Sequence, residues 1–574
     1  MDLLRFSEAE LNDACAAFHA ARARLTAPGA PFELAQEEID GMPAMVYKNA
    51  PRSLPEALAA GRAHGDKPFL VFGAERWSFA RFFEAVDALA ARMQTVFGIE
   101  AGDRVAIMMR NRPEWAIAFA AAASIGAVPA PINSFGLREE LLDVLTDLAP
   151  RLLVCDADRL ARVADGLAGL GCDTIVADAE PAPAPRVHGY RALLERPSAP
   201  PRPAEPAPGD PALILYTSGA TSRAKGVLSS QRAVCQALYN IDYIGAVSAL
   251  GSPERIAAMM ARGFAPTTLM AVPLFHVSGL HAQLLTSLRN GRRLVFMQRW
   301  DPARAIELIR EEGVTQFNGA PSMVMQLMAE EGFDGEATRS LAGIGFGGAG
   351  LPQRVIDDLL RRRPDSMSGI GFGLTETNGA GAAASGDLFA CKPRSSGLLS
   401  PIVALRVAGE DGQPLPPGQP GELWLRGVTL MDGYWGDPET TRRARTDGWF
   451  RSGDVGYLDE RGFLHVVDRI KDVINRQGEK IAASEVESCL LRHPDVLEAA
   501  VLAMPDELAG EAVVAVVVAR AGAELTEAAL RAHVGLHLAS YKVPARVHLR
   551  PGTLPRNAVG KLLKSALKDE YRAA

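Results

Sequence analysis

At 574 residues, 48% of them hydrophobic and 22% charged, the chain can bury a sizeable core, and a large domain joined to a smaller one is expected. A formal net charge of −7 argues against a nucleic-acid binder, which would present a basic face. Six cysteines (Cys15, Cys155, Cys172, Cys235, Cys391 and Cys489) stand without paired spacing, so neither a disulfide framework nor a zinc site is expected, and a reducing cytoplasm fits.

Met1 to Glu8 shows no basic start followed by an apolar run, so a secretory leader is not expected. An alanine-rich, acidic helix is expected over Glu8 to Arg24. Phe69–Phe72 and Trp77–Phe79 read as a short β-hairpin. Phe82, Phe83, Val86, Leu89, Met93 and Val96 then recur at helical spacing. Val105–Met108, Leu152–Cys155 and Thr174–Val176 are expected as buried strands between helices, the pattern of a layered sheet. Trp115 to Ile132 carries no charge but is broken by Gly126, Pro129 and Pro131, so a buried helix and strand are expected there instead of a membrane span. Ala182 to Pro208, rich in Pro and Ala, reads as a surface linker.

Leu213 to Val227, LILYTSGATSRAKGV, is the stretch with the clearest chemistry. An apolar strand stops at small hydroxyl and glycine residues and closes on Lys225-Gly226. Such a loop offers backbone N–H groups, hydroxyls and one ammonium to an anion, most often a polyphosphate. It is not the Walker loop, because five residues separate Gly219 from Lys225 and the glycine follows the lysine.

The loop resembles the phosphate loop of the adenylate-forming superfamily, Y-T-S-G-[ST]-T-G-x-P-K-G. The chain departs from that pattern at Ala220, Ser222 and Ala224. The resemblance implies that Thr217, Ser218, Gly219, Ala220, Thr221, Ser222 and Lys225 bind nucleotide phosphates. Further motifs follow in the family's order. Pro273 to Gly279, PLFHVSG, is expected as a strand running from Met270 into a turn; it resembles the segment whose Phe275 and His276 border and gate an acyl pocket. Thr315 to Pro321 reads as strand and turn, with a helix to Glu331, and Gly345 to Gly350 holds the counterpart of the segment whose Gly348 and Ala349 lie along adenine. Gly371-Phe372-Gly373-Leu374-Thr375-Glu376 is similar to Y-G-x-T-E, implying a flat ring at Phe372, a hydroxyl for the α-phosphate at Thr375 and a Mg2+-binding carboxylate at Glu376. Asp447 to Tyr457 resembles the family's G-W-[FL]-x-T-G-D segment, which implies Asp454 accepting from both ribose hydroxyls.

Asp468 to Asp472, DRIKD, resembles the family's hinge, with Arg469 and Lys471 on its nucleotide side. Val473 to Glu487 carries Gly478, implied to lie beside a pantetheine tunnel. Leu554 to Lys561, LPRNAVGK, resembles the mobile loop of the adenylation lysine, here Lys561; without that resemblance Lys561, Lys564 and Lys568 would read as a solvated basic tail.

The resemblance spans Ser53 to Leu567. It implies an α/β fold with a large N-terminal layered domain over residues 1–467, a hinge at 468–472 and a small mobile α+β domain over 473–574. It further implies an AMP-forming acid–CoA ligase using ATP, Mg2+ and coenzyme A, with His276, Thr375, Glu376 and Lys561 at the chemistry. A medium- or long-chain fatty acid or another hydrophobic carboxylic acid is the favoured substrate. An aryl acid, or a carrier protein in place of CoA, is the alternative. No nucleic-acid partner or transmembrane segment is expected; a homodimer is left open, and a cytoplasmic location fits.

Overall fold

The computed structural model describes residues 7–39, 41–178, 185–195, 199–217, 224–347, 353–476, 479–506, 509–557, 560 and 562–572. Of the expected site residues, Ser218, Gly219, Ala220, Thr221, Ser222, Gly348, Ala349, Gly478 and Lys561 lie outside the described residues.

Two sheets form the body. Among the described residues, the five-stranded one is wholly parallel and ordered Val128–Pro131, Arg104–Met108, Leu152–Cys155, Asp173–Val176, Val187–Gly189. The second orders nine strands; its parallel centre runs Gly369–Leu374, Gly343–Gly347, Gln316–Gly319, Thr267–Met270, Arg293–Phe296, Pro68–Phe72, and antiparallel strands close both edges. Parallel strands buried on both faces need near-continuous apolar runs, as in Leu152-Leu153-Val154-Cys155. The helices Phe79–Thr95 and Pro113–Ser124 cover them, and Trp115 is fully buried beside Phe119.

The uncharged stretch from Trp115 is therefore that buried helix followed by the strand Val128–Pro131. Among the described residues, no helix is long and apolar enough to cross a membrane. The expected first helix forms as Glu8–Thr26, capped by Ser7, whose hydroxyl accepts from the Glu10 N–H.

Two expectations need correction, and the structure also describes the segment after Lys561. The stretch read as a linker contains the edge strand Val187–Gly189 and the helix Tyr190–Leu194; buried Tyr190 and Leu193 anchor it despite its Pro/Ala composition. The strand expected from Met270 instead ends there, as Thr267–Met270, and Pro273 lies in irregular chain before His276. The segment after Lys561 forms a helix, Lys564–Tyr571, whose Leu567 is fully buried and whose Lys564 pairs with Glu487 at 2.8 Å.

Beyond an antiparallel five-stranded sheet that includes Trp449–Leu458 and Leu464–Arg469, the chain makes one 3-10 turn, Ile470–Asp472. A further sheet follows, of Val473–Arg476, Glu479–Ala482, Val496–Asp506, Gly510–Ala519 and Arg546–Leu549, packed against the helices Ala483–Leu490 and Glu527–His537.

Candidate active site

The carboxyl ends of parallel strands in an open α/β sheet are where ligands bind, because the loops leaving them are free to carry function. Here both parallel sheets deliver polar residues at those ends. Met108 leads to Arg110 and Asn111, Pro131 to Asn133 and Phe135, Met270 to His276, Phe296 to Arg299 and Trp300, Gly319 to Ser322, and Leu374 to Thr375 and Glu376.

On the phosphate side, Pro211–Thr217 and Lys225–Ser230 pair antiparallel with Thr217 opposite Lys225, so the loop between them leaves from a paired strand end. Gly433–Tyr434 adds to this hairpin. The Lys225 ammonium lies 5.2 Å from the centre of the Tyr434 ring, and the Tyr434 hydroxyl donates to Oε1 of Glu376 at 3.0 Å. Burial and the Glu376 charge raise the Tyr434 pKa well above its ordinary value, so the phenol stays a donor.

Thr375–Thr377 is a 3-10 turn stabilised from within. Thr377 accepts from the Leu374 N–H at 3.0 Å and donates to the Gly379 carbonyl at 2.8 Å. Fully buried Asn378, at φ +55°, donates to Ser229 Oγ at 2.9 Å and to the Thr429 carbonyl at 3.0 Å, tying the turn to the hairpin. Gly373 is required by close approach: a Cβ there would stand 2.0 Å from the Gly379 carbonyl oxygen. Gly371 has ordinary room, and Phe372 is 9% exposed, its ring within an apolar group with Val407, Leu423 and Leu464. Gly345 lies in the strand Gly343–Gly347, where a Cβ would fall 2.2 Å from Asn318 Oδ1.

Asp454, 4% exposed, faces Arg469 across two antiparallel strands, and its Oδ1 is 3.2 Å from the arginine Nε. The neighbouring strand position thus sets a guanidinium against the carboxylate and fixes its direction. Lys471 is exposed on the turn Ile470–Asp472.

His276 sits at the start of a short helical turn with its ring 4.3 Å from Phe275. Part of its surface stays open, yet desolvation pushes its pKa down to about 4, so the imidazole is neutral at pH 7. Asn111, 5% exposed, donates to the Val272 carbonyl at 2.9 Å and accepts from the Leu274 N–H at 3.0 Å, fixing the irregular chain that delivers Phe275 and His276.

One cavity is lined by Thr217, Tyr216, Phe275, His276 and Asn557, among others. Asn557 comes from the loop that precedes Lys561. That loop docks closely: Ser322 Oγ donates to the Gly560 carbonyl at 3.4 Å, and a Cβ on Gly560, at φ +77°, would lie 2.4 Å from Ser322 Oγ. A second cleft of about 360 Å3 adjoins, lined by Arg110, Arg299, Arg556, Phe135, Trp300 and Ser322 among others. Arg110 stacks over Phe135 at 3.4 Å, and burial together with Arg159, Arg299 and Arg162 lowers its pKa to about 10. Such concentrated positive charge suits a phosphorylated ligand.

Sequence reasoning missed Asn111, Asn378, Tyr434 and these arginines. They come from different strand ends, and no local spacing links them.

A layered α/β body with polar groups gathered at its strand ends, together with its likeness to known proteins, defines an adenylate-forming enzyme of the acid–thiol ligase class. Residues 58–435 match the AMP-binding enzyme family and residues 485–561 match the AMP-binding enzyme C-terminal domain, and the chain belongs to this family, in its acyl-CoA synthetase branch. It is 31% identical to a long-chain-fatty-acid–CoA ligase of Mycobacterium tuberculosis, over 86% of this chain and 93% of that protein. It is 32% identical to an indoleacetate–CoA ligase of Aromatoleum aromaticum, over 86% of this chain and 92% of the relative. Its fold is similar to ATP-bound MatB from Rhodopseudomonas palustris, with a TM-score of 0.79 and 26% identity over 90% of this chain and 99% of the other.

Proposed function

We propose that the chain joins a medium- or long-chain fatty acid, or another hydrophobic carboxylic acid, to CoA through an acyl-adenylate. The carrying observation is the convergence of Thr217, His276 and Asn557 on one cavity, which brings the phosphate-loop strand, the acyl-side histidine and the lysine loop to a common space. Buried Leu274 and Phe275 beside it, and Trp300 stacked on Phe317 at 5.2 Å, favour an apolar acid. The named substrates of the relatives span a fatty acid and an aromatic acetate, so an aryl acid is the second reading.

In the first step a carboxylate oxygen attacks the α-phosphorus of ATP, the bond to the β-phosphate bridge breaks, and pyrophosphate leaves with its electron pair. Negative charge grows at phosphorus, so fixed cations and donors supply the stabilisation. Lys561, Thr375, Lys225 and the loop from Thr217 to Ser222 fill those roles. Gly348, Ala349, Gly371 and Phe372 wall the adenine, and Asp454 and Arg469 hold the ribose, with Lys471 near the hinge. The hard carboxylate of Glu376, steadied by Tyr434, fits Mg2+, which would neutralise triphosphate charge when bound.

In the second step the CoA thiolate attacks the acyl carbonyl and AMP leaves. Arg110, Arg299 and Arg556 suit the phosphates of CoA, with Gly478 beside its pantetheine arm. A turn about residues 468–472 would withdraw Lys561 between the steps.

The test is pyrophosphate release from ATP across fatty acids, benzoates, cinnamates and amino acids, each with and without CoA. Release that turns over only with CoA and a hydrophobic acid is expected. CoA-independent release would favour a carrier-loading enzyme, and silence across the panel would overturn the proposal.

A further inference from the structure

We propose that Cys489, His533 and His537 form a site for a borderline-soft divalent cation of the zinc type on the C-terminal lobe, away from the nucleotide cleft. Cys489 is buried on the helix Ala483–Leu490. His533 and His537 are one turn apart on Glu527–His537, so their rings share a face, 4.6 Å between centres. The cysteine sulfur and one ring nitrogen of each histidine lie within 4.8 Å of one another. A tetrahedral site with metal–nitrogen bonds of about 2.1 Å and a metal–sulfur bond of about 2.3 Å needs ligand atoms slightly closer than this, within reach of rotamer adjustment.

A second observation points the same way. Nε2 of His533 lies 3.0 Å from the Cys489 carbonyl, and Nδ1 of His537 lies 2.8 Å from the His533 carbonyl. Carbonyls only accept, so each ring carries its proton on that nitrogen and keeps a lone pair on the other. Imidazoles oriented by a backbone carbonyl in this way are the usual arrangement around a metal. The ring of His493 stands 5.2 Å from that of His533, but its Nδ1 accepts from the Asp495 N–H at 3.3 Å, which puts its proton on Nε2 and leaves the fourth position to a water.

One sulfur and two imidazole nitrogens select Zn2+ or Co2+ over Mg2+ and Ca2+, which want oxygen ligands. Cys489 precedes His533 by 44 residues, so cysteine spacing along the chain could not disclose the group. Bound cation would join the two helices that cover the C-terminal sheet and stiffen the lobe that carries Lys561.

The test uses the full-length chain, stripped with a chelator and titrated with zinc chloride or cobalt chloride alone. One equivalent is expected to bind at micromolar concentration or tighter, raising Tm, and the cobalt complex should show a thiolate charge-transfer band. Exposed His537→Ala should weaken binding about tenfold or more, and Cys489→Ala should abolish the band, while His188→Ala on the N-terminal body leaves both unchanged. A folded wild-type chain with no saturable binding or no thiolate band would overturn the site, as would equal affinity in His537→Ala.

Discussion

The hydroxyl of Tyr434 donates to Oε1 of Glu376 across 3.0 Å, linking a two-residue strand on the phosphate-loop hairpin to the turn at the end of a central parallel strand. Tyr434→Phe keeps the ring beneath Lys225 and removes only this donor. Losing one hydrogen bond to a charged group costs about 1.5 kcal/mol, roughly tenfold. The magnesium concentration for half-maximal pyrophosphate release should rise by about that factor with Tm little changed. An unaltered magnesium dependence would separate Glu376 from the metal.

Asp454 and Arg469 should act together. Asp454→Ala removes a nearly buried carboxylate and leaves the arginine unpaired. The KM for ATP is expected to rise about 10- to 100-fold, the range of one or two charge-assisted bonds. Should KM stay constant, Asp454 merely shapes its strand.

On the proposed mechanism, Lys561 should serve only one of the two half-reactions. Lys561→Ala should slow adenylation by about 100-fold or more, the effect of deleting one donor to developing charge. Thioester formation from supplied acyl-adenylate should stay within a fewfold of wild type. Equal loss in both steps would remove the lysine from its proposed role.

His281 is fully buried, with Nδ1 bonded to the Asn378 carbonyl at 2.8 Å and Nε2 among the described polar atoms without a partner. Charging it would bury an unmet N–H, and desolvation lowers its pKa from 6.5 to about 4. The unfolded chain therefore binds a proton between those values that the folded chain refuses. Stability from this group is whole above 6.5 and falls as pH drops toward 4, by about 3 kcal/mol at most. Denaturant midpoints from pH 7 to 4 should fall, and His281→Asn should flatten the slope; an identical slope would place the loss elsewhere.

Lys564 pairs with Glu487 at 2.8 Å, and each side chain is more than four-fifths buried. Lys564→Ala strands a carboxylate in the C-terminal lobe and should cost about 3 kcal/mol, read as a lower Tm. A change below about 0.5 kcal/mol would mean that the helix Lys564–Tyr571 is only loosely held.

Much of this molecule was readable in the chain. The run Phe82 to Met93, Val105–Met108 and Leu152–Cys155 declare helix and strands because periodicity and apolar content are local properties. The proposed site segments around Lys225, Thr375-Glu376 and Asp454 could be singled out because each is a contiguous word. Other features escaped for physical reasons: Val187–Gly189 forms through two buried anchors in a linker-like composition, and Lys564 looks solvated until its partner across the lobe is known.

By itself, then, the sequence determined the α/β class and the family, both carried by residues adjacent along the chain. Only the tertiary structure decided that Tyr434 steadies Glu376, that Asn111 fixes the segment before His276, and that Arg110, Arg299 and Arg556 gather in one cleft of a chain with net charge −7. Hydrogen bonds and local potential depend on distance in space, and parallel sheets bring to one edge the ends of strands that the chain holds hundreds of residues apart.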